Sequence, residues 1–273
     1  MKDPKELAKQ CEDADIFRIS VSSTYITFWI SGQRTKGLVY LHLPRSLNLQ
    51  FMPDTNQTFF ENPLQFEVFI LRDFFGPIYL VEMLEENILR ISHCIVGTMF
   101  SITAQQNIEC PSPSWELVEA QNELEPPYDQ KIDLTPPRHY LEELMGMKLE
   151  KIDYLLDSSR LFFKSETEER ILFIYSIIEF AGESLNFFER FKDSFPDDEM
   201  AAWMSTLAGC IDSKVQGVEI QNSGDLAIEF DNRTKFIAVE KAPPGNPYFE
   251  DSWALQNAKT LKWLAGCTDG EGV

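Results

Sequence analysis

The sequence predicts an α+β fold that is mainly antiparallel β, with two pseudo-equivalent halves produced by an internal duplication. Two observations lead to this prediction. Apolar residues occur in short β-branched and aromatic runs that alternate with polar residues, as at Phe17, Ile19 and Val21, and this is the period of a strand. The strand pattern of one half of the 273-residue chain also returns in the other half. With 44% hydrophobic residues, the chain can bury the cores that such halves need.

The first half is predicted to be a β-rich module that spans residues 1–120. A short polar helix precedes a series of strand-like runs, which lie at 25–30, 37–43, 66–71, 78–84, 88–91 and 98–103. The segment that follows holds four prolines, at 126, 127, 136 and 137, among several acidic residues. Such a composition is typical of an exposed linker, which we place at residues 121–137.

The second β-rich module is predicted at residues 138–273. A short helix at 140–145 precedes strands at about 149–156, 160–164, 171–178, 214–221, 225–231 and 235–240. A longer helix is predicted at 194–209, because Ser194 can cap its N-terminus and because Asp197, Asp198 and Glu199 would face the positive end of its dipole.

The repeat is clearest at an offset of 137 residues. Residues 78–102 then match the second half without a gap, so that Met99 falls on Phe236 and Ile102 on Val239. Alternation alone would produce partial matches at every other offset, but it would not select an offset of half the chain length. We therefore interpret the match as a duplicated strand meander.

A repeated tryptophan motif extends the match. After one inserted residue, Ser-Trp-Glu-Leu at 114–117 falls on Ser-Trp-Ala-Leu at 252–255. We predict that Trp115 and Trp253 are structural residues, each closing a core under the last strand of its half, because an indole ring buries a large apolar area. The alternative is that the two rings form a platform for a ligand.

The stretch from Val215 to Leu255 resembles a small domain found among the immunity proteins of bacterial polymorphic toxin systems. The resemblance is carried by the strand and turn S-G-D-L-A-I-E-F-D-N-R and by the terminal E-D-S-W-A-L. It is looser over Ile78 to Leu117, where Asn87-Ile88 replaces Gly224-Asp225. The resemblance implies a cytoplasmic protein that binds and neutralises a cognate protein toxin.

The charge of the chain favours a basic partner. The net charge is −20, which would repel nucleic acid and anionic membranes but would attract a basic protein. Residues 121–273 carry −14 of it, so we place the rim of a binding surface there. The candidate rim residues form two clusters: Glu166, Glu168, Glu169, Asp197, Asp198 and Glu199. The alternative is that the acidity serves solubility alone.

The cysteines and the hydropathy pattern indicate a cytoplasmic protein. The five cysteines form no C-x-x-C pair, which favours free thiols in a reducing compartment over a disulfide framework or a zinc site. Met1 to Glu6 lead into no apolar run typical of a signal peptide. No stretch approaches 18 apolar residues, so we expect no membrane span.

No catalytic residue, metal or cofactor is predicted. The three histidines are far apart in the sequence, and the chain lacks the common nucleophile, phosphate-binding and metalloprotease motifs. Two other functions stay open. The chain could be an enzyme of an unidentified class whose residues converge only in the fold, or an acidic nucleic-acid-mimicking inhibitor of a DNA-binding protein.

Overall fold

The computed structural model describes residues 9–11, 14–31, 39–44, 49–53, 76–85, 88–95, 98–104, 116–119, 139–155, 158–175, 178–183, 185–186, 188–189, 199–221, 225–239, 251–260 and 263–268. The chain divides into two compact units, Met1–Glu123 and Leu124–Val273. Both are mainly antiparallel β, as the sequence predicts. The predicted linker at 121–137 and the side chain of Trp115 lie outside the described residues.

Unit 1 contains eight described strands: β1 (Ala14–Ser22), β2 (Tyr25–Ser31), β3 (Val39–Pro44), β4 (Leu49–Pro53), β5 (Gly76–Glu85), β6 (Ile88–Ile95), β7 (Thr98–Ala104) and β8 (Glu116–Glu119). Their order in the sheet is β8-β3-β2-β1-β5-β6-β7-β4, and every neighbouring pair is antiparallel.

The hairpin of β1 and β2 separates an apolar face from a polar one. Ile19 pairs with Phe28, and both side chains are buried. On the other face Arg18 lies opposite Trp29, with the guanidinium carbon 3.8 Å from the ring centroid. The indole nitrogen of Trp29 donates a 2.7 Å hydrogen bond to Ser20 Oγ. The cation–π contact and the hydrogen bond offset the cost of burying these polar groups.

Unit 2 contains nine described strands and two short helices. In chain order they are α1 (His139–Glu142), β9 (Lys148–Leu155), β10 (Ser159–Lys164), β11 (Glu169–Ile174), β12 (Ile178–Ala181), α2 (Glu199–Ala208), β13 (Val215–Ile220), β14 (Leu226–Phe230), β15 (Lys235–Ala238), β16 (Asp251–Asn257) and β17 (Trp263–Thr268). One sheet has the order β17-β16-β11-β10-β9 and the other β12-β15-β14-β13.

The core of unit 2 lies between its two sheets and α2. Phe163 of β10 stacks on Phe230 of β14, with ring centroids 6.4 Å apart. Trp253 of β16 is 1% exposed, and Tyr154 of β9 is equally buried against α2, where its ring meets Trp203 edge-on. These aromatic rings pack among buried aliphatic side chains such as Leu161, Leu226 and Ile228.

Helix α2 lies within the helix predicted at 194–209. It begins at Glu199 and ends at Ala208, and residues 194–198 lie outside the described part of the chain. Met204 and Leu207 are buried one turn apart, as is typical of the core-facing side of a helix. Beyond the helix, the side-chain amide of Asn232 donates a 3.1 Å hydrogen bond to the Gly209 carbonyl, which satisfies a group that the helix itself leaves unbonded.

The ungapped match at 78–102 is wrong for its last strand. Ile102 pairs with Ile91 in β6, whereas the residue that pairs with Ile228, at the equivalent position in β14, is Phe236. The third strands therefore correspond with a shift of three residues from the predicted alignment. The cause is the length of the paired strands: in unit 1 the pairing continues from Ile91 and Ile102 out to Ile95 and Thr98, whereas in unit 2 it ends at Glu229 and Lys235, one pair beyond Ile228 and Phe236.

No helix among the described residues is long and apolar enough to span a membrane.

Candidate partner-binding surface

The turn between β10 and β11 presents the first predicted acidic cluster. The backbone N–H of Ser165 donates to the Glu168 carbonyl at 2.9 Å, and Ser165 Oγ accepts from the Glu168 N–H at 3.0 Å. These two bonds hold a tight turn whose tip exposes Glu166 and Thr167. Glu166 and Glu168 therefore lie in the turn between the two strands, and Glu169 is the first residue of β11.

Glu168 belongs to an ion cluster that we call the Arg170 clamp, formed by Glu143, Glu168 and Arg170. The guanidinium of Arg170 donates to Glu143 Oε2 at 2.6 Å and to Glu168 Oε2 at 2.7 Å. Burial alone would lower the pKa of Arg170, but the two hydrogen-bonded carboxylates outweigh it and raise that pKa. The hydrogen bond from Arg170, and then its charge, lower the pKa of Glu168.

The clamp limits what this cluster can offer a partner. Glu168 is engaged by Arg170, and Glu169 lies 3.8 Å from Lys164 Nζ. On the same turn, Lys259 Nζ donates a 2.9 Å hydrogen bond to the Thr167 carbonyl and so places a cation beside the carboxylates. Glu166 is therefore the carboxylate of the turn that is best placed to meet a partner.

The second predicted cluster is only partly described. Asp197 and Asp198 lie outside the described residues, and Glu199 is the first residue of α2, its side chain not being described. Its position agrees with the predicted acidic start of the helix.

The four-stranded sheet of unit 2 carries a further acidic surface, which we call the acidic sheet face: Glu179, Ala181, Gly217, Glu219, Ala227, Glu229, Lys235 and Ile237. These residues share one side of the sheet because they occupy paired positions of matching parity. The opposite side, which includes Ile228, Phe236 and Phe180, is buried in the core. The side chains of Glu179, Glu219 and Glu229 are exposed.

Small residues lie beside two carboxylates of the acidic sheet face. Glu219 pairs with Ala227, and Glu229 pairs with Gly217. A Cβ added to Gly217 would lie 3.5 Å from the Glu229 Cβ, an ordinary van der Waals contact, so this position would also accept a small side chain. Glu219 and Glu179 lie on the two outer strands of the sheet. With a strand spacing of about 4.8 Å, they stand about 14 Å apart.

Sequence reasoning missed this face because it searched for runs of adjacent acidic residues. The signal is a single glutamate between apolar neighbours in each strand, as in V-E-I at 218–220, I-E-F at 228–230 and I-E-F at 178–180. A strand places such a glutamate on the face opposite its neighbours, so three separate strands can build one acidic surface.

Charged side chains are also buried on the five-stranded sheet. Asp153 and Arg160 are directly paired across β9 and β10, and they are 1% and 4% exposed. Lys151 Nζ lies 3.3 Å from Asp153 Oδ1 and 3.9 Å from the centroid of the Phe162 ring. Because solvent does not reach Asp153 and Arg160, we assign them to strand pairing rather than to partner binding.

Among the described residues, no group of three or more His, Cys, Asp and Glu side chains is arranged to hold a metal ion. Scans against known protein families and a search of curated proteins found no match to this chain.

Proposed function

We propose that this chain is a non-catalytic, cytoplasmic immunity-type protein that binds and neutralises a basic toxin effector. The observation that carries the proposal is the acidic sheet face, where Glu179, Glu219 and Glu229 stand exposed on a hydrogen-bonded sheet. The resemblance of the same segment, Val215 to Leu255, to toxin immunity proteins supports it.

The face suits a protein partner for a physical reason. The three glutamates outnumber Lys235, which pairs with Glu229, so the face keeps a net negative charge that attracts a basic surface and accelerates its encounter with the chain. Affinity must come mainly from apolar contact at the centre, since rim charges contribute more to the association rate than to binding energy. The half-buried Ile237, between Ala227 and Glu179, supplies such a contact.

We also propose that the two units arose by internal duplication. Equivalent rows of directly paired residues cross the first three strands of each unit and then β8 or β16: Ile19, Phe28, Leu41 and Leu117 in unit 1, and Ile152, Leu161, Leu172 and Leu255 in unit 2. An experimental structure should bury Trp115 at the position equivalent to Trp253. A surface position for Trp115 would count against the proposal.

Two further registers support the duplication. Val81 pairs with Ile91, and at an offset of 137 residues Val218 pairs with Ile228. Cation–π pairs recur at an offset of 133 residues, with Arg18 over Trp29 in unit 1 and Lys151 over Phe162 in unit 2.

The function is tested by co-expression. The genes beside this one are expected to include a secreted effector whose expression in the cytoplasm stops growth, and co-expression of this chain should restore growth. Purified effector and chain should form a stable complex. If no such effector is encoded nearby, or if growth stays inhibited and no complex forms, the proposal is wrong. Restored growth with catalytic turnover of the effector would favour an enzyme, and tight binding to a DNA-binding protein would favour the nucleic-acid mimic.

A further inference from the structure

The last described strand of unit 2 completes one edge of its five-stranded sheet. β17 pairs antiparallel with β16, and Leu255 lies opposite Ala265. The row of paired residues through Ile152, Leu161 and Leu172 therefore continues through Leu255 to a fifth strand.

Unit 1 has no such strand among its described residues. Its row ends at Leu117 in β8, which pairs with Leu41 of β3 on one side. No described strand pairs with the other side of β8, the position that β17 fills in unit 2. An unpaired edge presents backbone N–H and C=O groups that can extend the sheet with another strand.

The chain that follows β8 is poorly suited to fill this edge. When Leu117 is aligned with Leu255, Pro126 and Pro127 fall on Leu264 and Ala265 of β17. Proline has no backbone N–H to donate to a ladder and is confined to edge positions. Two consecutive prolines therefore remove the donors that a β17-like strand would need.

The two glutamates of β8 favour a basic strand as the occupant of this edge. The strand has the sequence Glu-Leu-Val-Glu, with Glu116 and Glu119 at its ends. Antiparallel pairing with β8 of a second copy about its centre would place each glutamate opposite another, which is destabilising. A strand with lysine or arginine at those positions would instead form two cross-strand pairs of opposite charge.

From this arrangement we propose that the edge of β8 with which no described strand pairs takes up an extended strand with basic side chains from the protein partner, adding it antiparallel as β17 adds to β16. The identity of that partner as a toxin rests on the function proposed above. The strand-binding property of the edge does not, because it follows from the pairing of β8 and from the sequence after it.

A synthetic peptide tests the edge without the toxin. The probe is an acetylated eight-residue peptide of valine and threonine with two lysines three positions apart, so that one lysine can lie opposite Glu116 and the other opposite Glu119. It is added to the full chain while amide hydrogen exchange is followed residue by residue. Exchange at alternate amides within 116–119 should slow at least threefold. Two matched peptides, one with glutamate for lysine and one with two central prolines, should have no effect. The Glu116→Lys/Glu119→Lys variant should lose the response to the lysine peptide.

Three results would overturn the proposal. The first is unchanged exchange in β8 when the lysine peptide is added. The second is strong protection of all four β8 amides in the chain alone, which would mean that its own residues fill the edge, and the third is a dimer whose formation gives that protection. The toxin complex separates the two proposals. If growth is rescued but the β8 amides exchange equally fast in the complex, the edge proposal fails and the immunity function stands. If the peptide protects β8 but no toxin binds, the immunity function fails and the edge stands.

Discussion

The phenolic oxygen of Tyr154 donates a 2.7 Å hydrogen bond to the backbone carbonyl of Met204 and thereby joins β9 to helix α2. Both residues are buried, with Tyr154 1% and Met204 2% exposed. The accepting carbonyl lies in the second half of a short helix, so the strand and the helix share a buried polar contact within a mainly apolar core.

Tyr154→Phe should lower the free energy of unfolding by about 1–2 kcal/mol. The ring and its contact with Trp203 remain, but the buried hydrogen bond from the Tyr154 hydroxyl to the Met204 carbonyl is lost. Chemical denaturation of both proteins measures the difference. An unchanged denaturation midpoint would show that this hydrogen bond contributes nothing to stability.

Trp253→Ala should cost about 3–5 kcal/mol of unfolding free energy, because the indole fills the core of unit 2 and no nearby side chain can occupy its volume. Trp253→Phe is the matched variant and should cost less, since it keeps an aromatic ring. A thermal melt of Trp253→Ala within one or two degrees of the parent would place the ring outside the core.

Reversal of Glu179, Glu219 and Glu229 to lysine should slow association with the cognate effector at least tenfold at low salt. The effect should shrink towards about 0.5 M salt, where the Debye length falls to roughly 4 Å. Each glutamate of the face is also reversed singly, and its association rate is compared with that of Glu189→Lys. This control makes the same charge change at an exposed site outside the acidic sheet face. Stopped-flow binding measures the rates, and equal slowing by Glu189→Lys would remove the face from the interface.

Charge reversals in the two acidic clusters predicted from the sequence can be compared in the same binding experiment. Glu166→Lys changes one exposed carboxylate of the turn, whereas reversal of Glu166, Glu168 and Glu169 together also breaks the Arg170 clamp. A melt must therefore accompany the triple variant. The same applies to reversal of Asp197, Asp198 and Glu199, since lysine at a helix N-terminus opposes the dipole by about 0.3–1 kcal/mol per charge.

The Arg170 clamp should make stability depend on pH in the acid range. Arg170 lowers the pKa of Glu168, so the folded chain favours the carboxylate more than the unfolded chain does. That contribution is complete above the ordinary pKa of 4.5 and is lost as pH falls through the lowered value. Glu168→Gln should thus be less stable than the parent at pH 7, and the difference should close below about pH 4.5. Glu166→Gln is the control, and a Glu168→Gln difference that persists unchanged to pH 3 would contradict the clamp.

Cys11 and Cys210 should resist alkylation in the folded chain. Burial raises the pKa of each thiol to about 12, so at pH 8 only about one thiol in ten thousand is ionised. Iodoacetamide labelling with peptide mass spectrometry should modify neither cysteine until denaturant is added. Rapid native labelling of Cys210 would show that the turn after α2 opens readily.

The strands were predictable because their signal is local. Alternation of buried and exposed residues located β9, β10, β11, β13 and β14 within a few residues of their ends. The apolar pattern of 78–93 also matches that of 215–230, and the pairs Val81–Ile91 and Val218–Ile228 follow it. The shift in the third strand was not predictable, because it depends on how many residue pairs each hairpin forms before the chain turns, and alternation of apolar and polar residues does not give that number.

The acidic surface could be predicted only in part. Glu166 is exposed as expected, but the engagement of Glu168 by Arg170 depends on Glu143, which lies 27 residues before Arg170 in the sequence. The acidic sheet face depends on Glu179, Glu219 and Glu229 meeting across β12, β14 and β13. Such convergence follows from strand order, which alternation does not determine.

Strands that pair across long stretches of sequence are synthesised several seconds apart. Leu172 of β11 is translated roughly 80 residues before its partner Leu255 of β16, and at 5–20 residues per second this leaves the nascent strand waiting about 4–16 s. Leu41 of β3 waits for Leu117 in the same way. During each interval the ribosome-bound chain exposes an apolar strand edge, so chaperone supply and translation speed should govern how much of this protein reaches its native state.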